Sequence, residues 1–232
     1  MKAYVLLSGG IDSSTCLYIA HEEFISVEGV SMNYGQRHSK EIEHAKLQCD
    51  RLGVKHSTIS LAGLIPNTML TDPKITVPNI SYDEIKGVSP TYVPFRNGLM
   101  LAAITSFVHG ELVRFGDSGS YDGLEWGIYF GAHAEDAQNW AYPDCTPEFI
   151  GAMANAISVG TYYNVRLHTP LEWMGKKDII QWGSRLGVPW ELTWSCYKGE
   201  DRQCGVCPTC RARRKGFLDA GIVDPTPYAE AM

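Results

Sequence analysis

Leu7-Ser8-Gly9-Gly10-Ile11-Asp12-Ser13-Ser14 follows an apolar run, Ala3 to Leu7, and precedes a helical pattern, Ser14 to Phe24. That order is strand, glycine turn, helix start. Unpaired N–H groups converge at such a turn, and the helix dipole favours negative charge there. Two adjacent glycines let backbone approach a ligand with no Cβ in the way. Ser8, Ser13 and Ser14 add hydroxyl donors around the same point. From the residues, the stretch reads as a pocket for a phosphate group. A tight turn in which Ser or Asp caps the helix is the other reading.

No Gly-Lys-Ser/Thr follows at Walker spacing, and G-x-G-x-x-G is missing. The stretch resembles the Ser-Gly-Gly-x-Asp-Ser loop of the ATP pyrophosphatases, which cleave ATP to AMP and pyrophosphate. That resemblance implies that the loop holds ATP and that the substrate is activated as an adenylate.

Outward from the loop, strands alternate with helices. Lys2 to Leu7 reads as the first strand, continuously apolar from Ala3 on, as a strand covered on both faces should be. Ser26 to Tyr34 and Val54 to Leu61 read as strands, separated by a helix that Ser39 caps and Gly53 ends. Trp126 to Gly131 and Val165 to Thr169 read as later strands. A helix opens at Arg96, one capped by Thr146 with Pro147 in its first turn runs to about Val159, and another spans Lys177 to Leu186. The expectation is a doubly wound α/β fold with a mainly parallel sheet. Ligands in such sheets sit beyond the carboxyl ends of the strands. Arg96, in a first helical turn, is at the wrong end for a cation by the dipole argument. It holds an anion there, or pairs with a nearby carboxylate. The proline-rich stretch 62–91 and the segment 117–124 read as loops.

At 232 residues with 44% apolar and 20% charged residues, the chain is an ordinary globular protein. A net charge of −6 argues against a broad nucleic-acid surface. No apolar stretch approaches membrane-span length, and the start leaves no room for a signal peptide, so a cytoplasmic location is expected. A two-fold homodimer is the expected assembly. Cys16 reads as core packing, and Cys145 as core or substrate-lining. Cys196, Cys204, Cys207 and Cys210 form a spaced cluster. Four thiolates suit a structural, tetrahedral zinc, with a [4Fe–4S] cluster as the alternative. Two units are expected, 1–190 carrying the phosphate loop and 191–232 the metal. The cations between Lys198 and Lys215 read as a solvated face, or else as an anion wall or small RNA contact.

Further motifs stand in order along nearly the whole chain: Tyr34-Gly35-Gln36-Arg37-His38, Val93-Pro94 with Arg96-Asn97, Glu135-Asp136, Tyr142-Pro143-Asp144-Cys145, Thr169-Pro170-Leu171, and Thr193-Trp194-Ser195-Cys196-Tyr197 with the later cysteines. With the loop, they resemble the 7-cyano-7-deazaguanine synthase family. The resemblance implies an adenine nucleotide alpha hydrolase-like fold. It also implies a ligase that uses ATP, Mg²⁺ and ammonia to turn 7-carboxy-7-deazaguanine into the nitrile through an adenylate and an amide. Leu7, Ser8, Gly9, Gly10, Ile11, Asp12, Ser13 and Ser14 would then hold the nucleotide, with Asp12 acting through Mg²⁺ and Arg96 meeting a phosphate or the substrate carboxylate. Tyr34, Gln36, Arg37, His38, Arg96, Asn97, Glu135, Asp136, Tyr142 and Asp144 would face the substrate, with the carboxylates and Tyr142 reading its base edge. Zn²⁺ would sit on the four cysteines. Phe95 stands where the family pattern has glycine, an alteration expected beside the pocket at Arg96. Two alternative readings stand beside it: a related deazaguanine ligase of an antiviral system that stops at the amide or modifies a protein, and a tRNA-modifying enzyme of the same superfamily, against which the net charge and the length speak.

Overall fold

The computed structural model describes residues 1–37, 39–65, 68–72, 74–80, 84, 87–115, 126–137 and 140–230. His38 and the expected loop 117–124 lie outside them. Five strands, β1 (Lys2–Leu6), β2 (Ser26–Asn33), β3 (Lys55–Ser60), β4 (Trp126–Tyr129) and β5 (Val165–His168), form one sheet in the order β3-β2-β1-β4-β5. Every pairing is parallel, with Lys2 beside Ser26 on one flank and Trp126 on the other. The chain therefore winds outward from β1 in one direction and then starts again on its other side at β4. That reversal opens a crevice at the carboxyl ends of β1 and β4.

β1 is apolar and buried from Ala3 to Leu6 because both its faces are covered. Tyr4 and Leu6 pack into a core with Ile104, Val108 and Leu112 of α3 (Arg96–Phe115) and Ile150 and Ile157 of α5 (Pro147–Gly160). Ala3, Val5 and Leu7 face a second core with Leu17 and Ile19 of α1 (Ile11–Glu23), Cys49 of α2 (Lys40–Leu52), Ile179 and Ile180 of α6 (Lys176–Arg185) and Phe217 of α7 (Pro208–Ala220). Each such aliphatic burial contributes about 1.5–3 kcal/mol. A one-turn helix, α4 (Ala134–Ala137), follows β4.

Local expectations meet their physical causes unevenly. Thr146 Oγ1 accepts from Phe149 N–H at 3.3 Å, so α5 starts where its cap and proline require. Ser39 makes no capping bond to α2, because its hydroxyl turns to Glu43 instead. Gly53 ends α2 in the left-handed conformation. Phe95 also has a left-handed backbone (φ 53°), which explains why glycine suits this position. Its ring lies edge-on to Phe149, outside the cavity described below, so the expected alteration of the pocket at Arg96 does not occur through this side chain. No described helix is long and apolar enough to cross a membrane.

Candidate active site

α1 begins at Gly10 with no side chain capping its first turn, so the capped-turn alternative fails and its N–H groups are left for a ligand. Gly9 has φ +78°, and a Cβ there would lie 2.5 Å from the backbone oxygen of Glu41 and 2.8 Å from the nitrogen of Ala45. α2 thus presses directly on the loop. Because both obstacles are backbone, Gly9→Ala is expected to destabilise the fold by about 2–4 kcal/mol, read as a lowered midpoint in urea unfolding. On the other side, Trp194 N–H donates to Gly9 O at 2.8 Å. Ser13 Oγ accepts from Ser8 N–H at 3.2 Å.

The loop forms one end of a cavity of about 240 Å³ at the carboxyl edge of the sheet. α1, α2, α3, α6 and α7 all begin at this cavity, and their positive ends point toward it. Its nearer end is a charge cluster centred on Lys176, which sequence reading passed over. Lys176 Nζ donates to both Asp12 carboxylate oxygens, at 2.7 and 2.8 Å, and lies 2.9 Å from His133 Nε2. His133 Nε2 is 3.2 Å from Asp136 Oδ2. Glu135 Oε1 accepts the Lys176 backbone N–H at 2.7 Å and so caps α6. Burial opposes ionisation of Asp12, but Lys176 and then His133 outweigh it and hold the carboxyl below its ordinary value. Burial likewise opposes the Lys176 charge, and Asp12 and Asp136 more than restore it.

At the farther end stands Arg96, its guanidinium 5.7 Å from the centre of the Tyr34 ring. It makes no carboxylate ion pair within 4 Å among the described residues, so the salt-bridge alternative falls away. Glu41 shares this end of the cavity. Burial pushes its carboxyl up to about 7, against the pull of Arg96. An acid raised on folding favours the folded state while protonated. Glu41 should therefore cost stability as pH climbs from its ordinary 4.5 through about 7. Glu41→Gln is expected to unfold at a higher temperature than the parent above pH 7, with the gap closing near pH 4.5. A gap that is the same at both pH values would contradict this.

The cavity brings together Leu7, Ser8, Gly10, Ile11, Asp12 and Ser13 with Tyr34, Gln36, Arg96, Asn97, Glu135, Asp136 and Tyr142. Gly9 shapes the loop from behind. Ser14 is buried, and its hydroxyl accepts from Gln48 Nε2 at 2.6 Å. Arg37 lies outside the cavity and donates to Ile75 O at 2.9 Å, holding the neighbouring loop. Asp144 is outside it as well: its carboxylate accepts from Asn97 N–H at 2.9 Å and so anchors the start of α3. Cys145 lines the cavity, and burial pushes its thiol up.

The opposite wall comes from the cysteine segment, through Trp194, Ser195, Tyr197, Thr209, Ala212 and Arg213. The sulfurs of Cys196, Cys204, Cys207 and Cys210 all lie within 4.8 Å of one another. Cys204 and Cys210 are 3.9 Å apart, close to the edge of about 3.8 Å that a tetrahedral ion with 2.3 Å bonds to sulfur needs. Backbone N–H groups of Lys198 and Cys204 point at Cys196 Sγ, and those of Val206 and Cys207 at Cys204 Sγ. Gly205 takes φ +83° to make the tight turn. The donor set fits a metal ion. Much of the basic run makes structural contacts: Arg213, although it lines the cavity, is buried against Asp224 and donates to Trp190 O, Arg211 donates to Val206 O, and Lys215 pairs with Asp219.

The parallel sheet and the uncapped glycine loop that opens into the cavity at the end of its central strand define a doubly wound α/β protein. The chain belongs to the queuosine biosynthesis protein QueC family, whose model matches residues 2–221. The 7-cyano-7-deazaguanine synthase of Thermoplasma volcanium is 38% identical over 235 residues, covering 99% of this chain and 91% of its own. That of Nitratiruptor sp. is 40% identical over 233 residues, covering 98% and 99%. Among solved structures, the U34-tRNA thiolase NcsA of Methanococcus maripaludis superposes with a TM-score of 0.47 at 16% identity, over 82% of this chain and 58% of that one, too slight a likeness to bear on function.

Proposed function

We propose that this chain is an ATP-dependent ligase that converts 7-carboxy-7-deazaguanine and ammonia to 7-cyano-7-deazaguanine. The observation that carries the reading is whole-length similarity to synthases of that name. The continuity of the cavity, from the loop at Ser8 to Arg96, is consistent with it.

A carboxylate is a poor electrophile until one oxygen becomes a leaving group. Its oxygen attacks the α-phosphorus of ATP, pyrophosphate departs, and an acyl-adenylate forms. Ammonia adds to the acyl carbon, loses a proton, and expels AMP to leave the amide. The amide oxygen attacks the α-phosphorus of a second ATP, a second pyrophosphate departs, and loss of AMP and the two remaining N–H protons leaves the nitrile.

The first-turn N–H groups of α1, with the Ser8 and Ser13 hydroxyls, take the pyrophosphate. Lys176 turns from Asp12 toward the phosphates and neutralises charge as pyrophosphate leaves. Mg²⁺, held with the help of Asp12, would supply further neutralisation of the phosphates. Arg96 holds the reacting carboxylate. Zinc on the four cysteines is a structural ion, since four thiolates leave no open position.

Incubation with 7-carboxy-7-deazaguanine, ATP, Mg²⁺ and ammonium, read by mass, tests the reading. The nitrile has lost two oxygens and a hydrogen and gained a nitrogen, whereas the amide retains one oxygen. Product arrested at the amide would replace the full reaction by the first half. No AMP would remove the ligase reading altogether.

A further inference from the structure

We propose that Glu41 reads the guanine-like edge of the substrate, side by side with Arg96, and is the residue that sets base specificity. The inference rests on the proposed function and deepens it. The substrate presents along one continuous edge its reacting carboxylate, the O6 carbonyl, the N1–H and the 2-amino group. The first two accept hydrogen bonds and the last two donate. A guanidinium followed by a carboxylate is complementary in that order, and a carboxylate takes two parallel N–H donors in its own plane.

The cavity offers few candidates for the acceptor half. Its acids are Asp12, Glu41, Glu135 and Asp136. Asp12 receives both bonds from Lys176, Glu135 caps α6, and Asp136 faces His133. Asp144, the other acid of these motifs, is bound to the start of α3. Among the described residues Glu41 alone of the cavity acids has neither a hydrogen-bond donor nor an ion-pair partner within 4 Å. It stands in the first turn of α2, and Arg96 in the first turn of α3, close enough for each to feel the other's charge. A half-buried carboxyl without a partner is costly unless a ligand supplies one. The elevated Glu41 carboxyl, at about 7, fits a group that becomes fully ionised when two N–H donors arrive.

The test compares parent and Glu41→Gln with 7-carboxy-7-deazaguanine and with its analogue lacking the 2-amino group. The glutamine keeps one acceptor but turns an NH₂ against the second donor. For Glu41→Gln, KM for the deazaguanine should rise about 10–100-fold with KM for ATP unchanged, as for a site that loses a matched polar partner. The parent should discriminate against the analogue, and the variant should lose most of that discrimination. Parent KM for the base should fall as pH rises through about 7, and the variant's should not. Circular dichroism and urea unfolding confirm that the variant folds. Equal rises in both KM values, or a fall in kcat with KM and discrimination unchanged, would overturn the assignment and leave Glu41 a positioning or proton-accepting group. Absence of AMP formation by the parent would overturn the proposed function and this inference with it. Normal parent turnover with an indifferent variant overturns the inference alone.

Discussion

Replacing Lys176 with methionine is expected to lower kcat for pyrophosphate release by about 10²–10³-fold, the scale of removing one preorganised charge from developing negative charge. The lysine lies wholly within the loop cluster, with both Asp12 oxygens under 3 Å from its Nζ. Methionine keeps the stem and deletes the cation. The same change strands Asp12, whose carboxyl is held low chiefly by this ammonium, so the variant should also lose stability. The two effects separate in a second variant. Lys176→Met combined with Asp12→Asn should recover stability, because no carboxylate is left unpaired, and should remain inactive. Rapid-quench measurement of AMP alongside urea unfolding reads both. Turnover of Lys176→Met within threefold of the parent would remove the lysine from the chemistry.

Stripping the metal is expected to abolish activity and to destabilise the chain by several kcal/mol, since ion binding is folding energy in such a knuckle. The reason lies in what the cysteines hold up. Trp194, Ser195 and Tyr197 precede or flank Cys196, Thr209 lies between Cys207 and Cys210, and all these side chains line the cavity. Thr209 Oγ1 also donates to Ser195 O at 2.6 Å, and Gln203 Nε2 to Thr193 O at 3.1 Å. Packed together without a cation, the thiols cannot all ionise: Cys207 is held low by bonds from Cys196 and Cys210, and Cys196 is pushed up to about 12. Cys207→Ser should therefore lose metal, melt earlier and bind ATP poorly. Elemental analysis of the purified chain identifies the ion. Full activity in a metal-free variant would show that the wall stands unaided.

How far the molecule is legible from its residues depends on the range of the interactions involved. The five strands and the glycine loop announce themselves, because apolar runs and a Gly-Gly turn are local signals. Arg96 is legible for the same reason: a cation in a first helical turn is out of place on local grounds. Lys176 is not, since nothing near Gly175 hints at an aspartate 164 positions earlier. His133 and Glu41 are hidden likewise, each acquiring its meaning from a neighbour on another element. Asp144 shows the opposite failure. A carboxylate in a polar motif looks available, but the free N–H at the start of α3 claims it. Arg37 likewise looks like a ligand group and is a strut for the adjoining loop.

The bond from Trp194 N–H to Gly9 O joins points at opposite ends of the chain. During synthesis the glycine loop emerges first, and the wall that faces it emerges among the last segments. Until residues 194–213 arrive, the loop is an open notch with the first-turn N–H groups of α1 facing water. Closure of the pocket thus depends on the segment of the chain that is made last.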